Sequence, residues 1–373
     1  LDHFVLTQKL PFMMAAAVLM KLKILFVKVR ASQSYKCKGF GYIKKEGTKM
    51  RKLISLCLIS LLIHSSQSLF ADDPIMTGAE IDRLWEDISN WGRWGTDDQL
   101  GTLNLITAET RKAAANLVEE GVSVSLAQDL LLDAAVDNGN PFEHDMPTRP
   151  SSSNPWAVDK IGVRFHGLVH SHIDALCHYH YKGKYYNDRS ISMVTDEGCS
   201  ANSVMTMVDG IFTRGVLMDI PRLKGLDWLE PGYAVTPEDL EAWEEKAGIT
   251  VGSGDAVLLR TGRWARREAL GPWAREGFAG WHVSTVEWLK KRDVAIIGSD
   301  AALDVSPSGV EGVGSPVHML VLVALGMPIL DAMNLESVSE KAMEFEKYEF
   351  LLTASPLRVP QGTGSPLNAI ATF

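Results

Sequence analysis

Residues 166–180, His-Gly-Leu-Val-His-Ser-His-Ile-Asp-Ala-Leu-Cys-His-Tyr-His, constrain this chain most. Five of its 10 histidines and one aspartate fall within them. The surrounding residues are apolar and β-prone, so the segment reads as a strand running into a turn. Alternate side chains of a strand share a face. His166, His170, His172 and Asp174 are all even-numbered and are therefore expected to project to one side. Neutral imidazoles and a carboxylate are ligands for zinc, manganese or iron. The fold must accommodate a strand that carries such a set.

The rest of the chain is large enough to do so. It has 373 residues, 46% of them hydrophobic, with no long linker, low-complexity tract or internal repeat. The formal net charge is -9 and no basic patch stands out, which argues against a nucleic-acid partner. Met50-Arg51-Lys52, the apolar run Leu53–Ile63 and the small-residue stretch ending near Ala71 have the order of a secretory signal peptide. The apolar run is too short for a comfortable membrane span. The domain expectation is therefore residues 1–49 as an upstream-translated extension, 50–71 as a signal peptide and 72–373 as one catalytic domain. The alternative for 1–49 is a genuine extension with a membrane-associated helix. The mature protein is expected to be periplasmic or secreted, without a stable membrane span. In that setting Cys177 and Cys199 are either paired or buried as free thiols.

Beyond residue 76 helices and strands alternate. Thr77-Gly78-Ala79-Glu80 is a capping box ahead of Ile81, Leu84, Trp85 and Ile88 at helical spacing. Thr107 opens a helix through Leu117, Thr236-Pro237 opens one closed by Gly248, Ser284 caps one through Lys291, and Ser315-Pro316 opens an apolar one ending near Gly326. Residues 215–220, 256–260, 294–298 and 348–353 read as buried strands. This order suits an α/β or α+β domain built on a substantial sheet. No Gly-rich phosphate loop follows a strand, which argues against a nucleotide enzyme.

Several blocks carry a family resemblance. His172-Ile173-Asp174-Ala175-Leu176-Cys177-His178 resembles the H-x-D-x-x-x-H core of the cyclase family, which includes kynurenine formamidases and isatin hydrolases. Residues 90–104 (Asn-Trp-Gly-Arg-Trp-Gly-Thr-Asp-Asp-Gln-Leu-Gly-Thr-Leu-Asn) resemble the entry motif of its longer members. Gly254–Gly262, Gly298-Ser299-Asp300, the helix carrying His318, and Gly362-Thr363-Gly364-Ser365-Pro366 follow in order. The resemblance covers roughly residues 77–373. It implies a swivelling β/β/α domain, a divalent metal (Zn or Mn), hydrolysis of an amide-type C–N bond as in the arylformamidase step of tryptophan catabolism, and a homodimer or homotetramer.

The resemblance also distributes roles. Known members carry a metal histidine four residues before the second one, and here that position is Leu168. His166 keeps the histidine-glycine pair of the longer members and is the favoured ligand beside His172 and Asp174, with His170 as the alternative. The acidic residue usually found twelve positions beyond the late-helix histidine would fall on Leu330. Asp331 is the nearest acid and an alternative ligand. His178 is the expected general base, with a further ligand as its other reading, and His318 the second catalytic histidine. Trp91, Trp94 and Phe165 are candidate walls for an aryl or cyclic small-molecule substrate; a tryptophan plug over the sheet is the alternative for the first two. The rival functions are a metal-dependent cyclase or lyase acting on a hydroxylated or enolic substrate, and a catalytically silent binding protein on the same fold.

Overall fold

The computed structural model describes residues 76–373, so the extension at 1–49 and the leader at 50–71 lie outside the described residues. Nine strands make the main sheet: β1 (Ser123–Ser125), β2 (His172–Asp174), β3 (Ile211–Asp219), β4 (Ala256–Arg260), β5 (Ile296–Ser299), β6 (Ile329–Asp331), β7 (Glu349–Ala354), β8 (Gly364–Pro366) and β9 (Ile370–Thr372). Their spatial order is β1-β9-β7-β3-β4-β5-β6-β2-β8. The central four, β3, β4, β5 and β6, are parallel, and every flanking pair is antiparallel. β4 and β5 are buried along their whole length, as parallel strands covered on both faces must be. The expected α/β class therefore holds.

Alternation along the strands divides the core in two. Val216, Met218, Val257, Leu259, Ile297 and Ile329 contribute to one apolar cluster. Leu217, Ala256, Leu258, Ile296 and Leu330, the intervening residues, contribute to the other, which also holds Ile173. The helices are α1 (Gly78–Ile88), α2 (Ala108–Ala115), α3 (Ile220–Lys224), α4 (Pro237–Ala247), α5 (Arg263–Leu270), α6 (Thr285–Lys291), α7 (Pro316–Met319) and α8 (Glu336–Phe345). The capping box of α1 forms in full: Thr77 accepts from the Glu80 backbone, and the Glu80 carboxylate accepts from the Thr77 backbone N–H at 2.8 Å. The first turn after β4 is held by Asp300, whose carboxylate accepts from the N–H groups of Thr261 and Gly262 at 2.8 Å each. Helix α7 continues as a π-helical stretch, Leu320–Leu325, in which every residue is buried. A helix apolar all round belongs in a core, and His318 is the polar exception in this one.

Two expectations need correction. The helix opened by Thr107 ends at Ala115 and finishes in a turn rather than running on to Leu117. The histidine-rich segment is extended only over His172–Asp174, so the shared-face argument applies to those residues and not to His166 or His170. The preceding residues, 166–170, form bends that lead into the strand.

Candidate metal centre

The centre sits where β6 ends and β2 begins. These strands run antiparallel with Asp331 opposite His172 and Leu330 opposite Ile173. Opposed residues of a pair point to the same face. His172, Asp174 and Asp331 therefore share one side of the sheet, while Ile173 and Leu330 enter the apolar cluster on the other. An acid at position 330 would face that apolar cluster. The one-residue shift to Asp331 puts the carboxylate on the histidine side.

Asp174 is fully buried and is the hub. Its Oδ1 lies 2.9 Å from His166 Nδ1 and 3.4 Å from His172 Nε2. Its Oδ2 lies 3.8 Å from His318 Nε2, which is 3.2 Å from Asp331 Oδ2. Two triads result, His166–His172–Asp174 and Asp174–His318–Asp331. In each, the potential ligand atoms lie within 4.8 Å of one another.

Each histidine is oriented from behind. His172 Nδ1 lies 2.7 Å from the His170 carbonyl; a carbonyl only accepts, so Nδ1 carries the proton and the Nε2 lone pair faces Asp174. His166 Nε2 lies 2.9 Å from Thr363 Oγ1, which turns Nδ1 toward Asp174. Gly364, next to Thr363, pairs with Asp174 in the sheet. A Cβ there would come within 2.4 Å of the Ile173 carbonyl and 3.0 Å of the His166 ring, so the close approach requires glycine. His318 Nδ1 lies 2.6 Å from Asp304, whose carboxylate also accepts the backbone N–H groups of Val317 and His318 at 2.6 and 3.2 Å. Asp304 therefore caps the start of α7 and fixes the imidazole with one side chain.

Charge is distributed unevenly. Burial opposes the Asp174 charge, but the imidazoles of His178, His172 and His166 outweigh it and hold the carboxyl well below the ordinary range. Burial raises Asp331 above that range. Burial also disfavours charge on His318, yet its bonds to Asp304 and Asp331 prevail and hold it well above the usual imidazole value. His178 is pushed down to about 4, by burial first, against the pull of Asp174. Its ring stacks on His166 at 3.8 Å with 4° between planes and is half-buried at the mouth of the centre.

The other sequence candidates divide. Phe165 packs at the site, 4.5 Å from the His166 ring and 5.8 Å from that of His172. His170, the alternative ligand, turns to the Asn140 carbonyl at 3.2 Å and belongs to neither triad. Trp91 donates its indole N–H to the Val323 carbonyl at 2.6 Å and meets Trp85 edge-on. Trp94 lies under the Arg93 guanidinium at 4.7 Å. Among the described residues neither indole makes a ring contact with the histidines. Cys177 and Cys199 are joined as a disulfide, which tethers the turn ending in His178. Sequence reasoning assigned no role to Asp304 or Thr363. Thr363 stood within a quoted block, and the only signal for Asp304 was an acid ahead of a helix start.

The donor set fits a divalent metal. His166 Nδ1 and both Asp174 oxygens are buried without a hydrogen-bond partner, as is Asp331 Oδ1. Such groups are costly to leave unpaired. Two imidazole nitrogens and a carboxylate converging on one point match the ligand chemistry of zinc or manganese.

Comparisons with known proteins bear on the family and the fold. The Cyclase family model matches residues 124–304. A crystal structure described as a novel cyclase is 30% identical and superposes with a TM-score of 0.70, covering 78% of this chain and 99% of that one. Isatin hydrolase of Roseibium aggregatum is 26% identical over 153 residues, 38% of this chain and 53% of that protein, so the chain spans about half the length of this curated relative. Isatin hydrolase A from Ralstonia solanacearum is 23% identical with a TM-score of 0.49, covering 71% of this chain and 95% of that one.

Proposed function

Because the chain belongs to the cyclase family, we propose that it is a metal-dependent hydrolase that opens an amide-type C–N bond of an aryl formamide or a cyclic amide. N-Formylkynurenine and isatin are the model substrates; the second is suggested by the name of the curated relative. The observation that carries this reading is the set of buried, unpaired ligand atoms around Asp174 Oδ1, with the His178 ring stacked beside them at the mouth. His166, His172 and Asp174 are the residues that would hold the metal. Once bound, it would supply Lewis acidity to the substrate carbonyl and lower the pKa of water toward about 7.

The chain's own residues do the rest. His178 is neutral at neutral pH and only partly buried. It can accept a proton from the attacking water and return it to the nitrogen as the C–N bond breaks. The carbonyl carbon gains the water oxygen and becomes a carboxylic acid, whose remaining proton passes to solvent to leave the carboxylate. Phe165 gives the His166 and His172 side an apolar wall suited to an aryl ring. His318, kept charged between Asp304 and Asp331, steadies Asp174 from the opposite side.

The export reading is part of the proposal. A buried Cys177–Cys199 disulfide suits an oxidising compartment, in line with the leader-like order of residues 50–71. Assembly as a homodimer or homotetramer is likewise proposed. The deciding experiment is turnover of both model substrates by manganese- or zinc-loaded protein in 18O-water. One 18O atom in the new carboxylate supports hydrolysis. Product formed without label supports the lyase or cyclase reading, and the absence of any product over the protein-free rate supports a binding protein.

A further inference from the structure

The last four carbonyls of a helix have no partner within it. In the π stretch that continues from His318 the unpartnered carbonyls at the C-terminal end include those of Val323, Ala324, Leu325 and Gly326, and the entry motif near the start of the domain engages these four. Trp91 Nε1 donates to Val323 at 2.6 Å, the Asn90 backbone N–H to Ala324 at 2.9 Å, Asn90 Nδ2 to Leu325 at 2.9 Å and the Thr102 N–H to Gly326 at 2.8 Å. Gly101 makes this approach possible: a Cβ there would lie 1.8 Å from the Gly326 oxygen. The opposite end is held by Asp304, which accepts the N–H groups of Val317 and His318. The helix is thus clamped at both ends by groups distant in sequence. Between the clamps it departs from α geometry and takes the π form over Leu320–Leu325. Single-turn π stretches are uncommon and occur often at functional sites.

Register is what the clamps control. One residue of an α-helix corresponds to about 100° of rotation at 3.6 residues per turn. If the π turn relaxed by one residue while the Gly326 end stayed fixed, His318 would rotate away from Asp174 and Asp331. We propose that Asn90 and Trp91 are positioning residues for His318: their donors hold the wound register of the Leu320–Leu325 stretch and so aim His318 Nε2 into the centre. On this view the indole of Trp91 serves a helix terminus and not a substrate. The inference concerns the placement of an imidazole, so its failure would leave the hydrolase reading standing.

The test uses metal-free full chain labelled with 15N-histidine. Trp91→Phe keeps a ring but loses the donor to Val323. Asn90→Asp keeps the acceptor facing Arg93 and Lys290 but loses the donor to Leu325. Trp85→Phe is the control, since Trp85 packs on Trp91 without bonding to any of the four carbonyls. The ring resonances of His318 are assigned by their absence in His318→Gln, and melting temperature is recorded for every variant. The expected result is that Trp91→Phe and Asn90→Asp shift or split the His318 resonances, while Trp85→Phe lowers the melting temperature without moving them. Unchanged His318 resonances in the two donor variants, or shifts in all three that merely follow the loss of stability, would overturn the proposal. Should Asn90→Asp not fold, Trp91→Phe against its control decides the matter alone.

Discussion

The two oxygens of Asp174 face unlike surroundings. On the Oδ1 side, His166 Nδ1 and the carboxylate oxygen approach to 2.9 Å, yet both stay without a hydrogen bond, and the stacked rings of His166 and His178 lie toward the mouth. On the Oδ2 side, His318 is bonded at Nδ1 by Asp304 and approached at Nε2 by Asp331, which together raise its basicity, while Asp174 Oδ2 and Asp331 Oδ1 also stay without a hydrogen bond. The first side presents unpaired ligand atoms beside stacked rings; the second fixes an imidazole between two further carboxylates. Both triads could hold a metal; the proposed division gives metal binding to His166, His172 and Asp174, and orientation to His318, Asp304 and Asp331.

The comparison can be broken most forcefully at the ligands. His172→Ala and Asp174→Asn each remove one of three protein donors, so bound metal should fall to a small fraction of the parent's by elemental analysis. Variants with parent-level metal would remove the assignment. His178→Ala should keep its metal and lose catalysis by about a hundredfold or more, as expected for a missing general base. Loss of metal in this variant would instead move His178 among the ligands. His318→Gln sharpens the contrast between the two sides: metal content should stay near parental while the rate falls, and loss of metal together with rate would make the Oδ2 side a ligand set too.

Smaller effects concern stability. Saturating Mn2+ at about 100 times its dissociation constant should stabilise the parent by about 2.7 kcal/mol, read as a rise in the unfolding midpoint. The His172→Ala midpoint should not respond. Cys177→Ser with Cys199→Ser opens a loop with a sequence separation of 22 and should cost about 3 kcal/mol. A much smaller loss would mean that packing alone keeps the His178 turn in place.

Much of the architecture was legible in the sequence because it follows from local rules. The Thr77 capping box, the buried strands at 256–260 and 296–299, and the pairing of His172 with Asp174 on one face all depend on neighbours in the chain. What was illegible depends on strand partners and long-range hydrogen bonds. Odd-even counting grouped His166 with His170, whereas bends before β2 send His166 to Asp174 and His170 to Asn140. The acid at 331 looked displaced by one until its register opposite His172 showed which face it occupies. Trp91 read either as a pocket wall or as a tryptophan plug over the sheet, because an indole in a loop must pack somewhere. Its partner, a carbonyl 232 positions away, left no trace in the local pattern. Asp304 was invisible for the same reason: an aspartate 14 residues before a histidine is unremarkable until the fold brings both to one helix start.

Metal stoichiometry across a matched series decides whether His166 and His172, and not His170, hold the metal. Parent, His166→Ala, His172→Ala and His170→Ala are purified identically, equilibrated with the same Mn2+ and dialysed, and bound metal is measured per chain. Metal is expected in the parent and in His170→Ala, and its loss in His166→Ala and His172→Ala. Metal retained in His166→Ala but lost in His170→Ala would contradict this assignment.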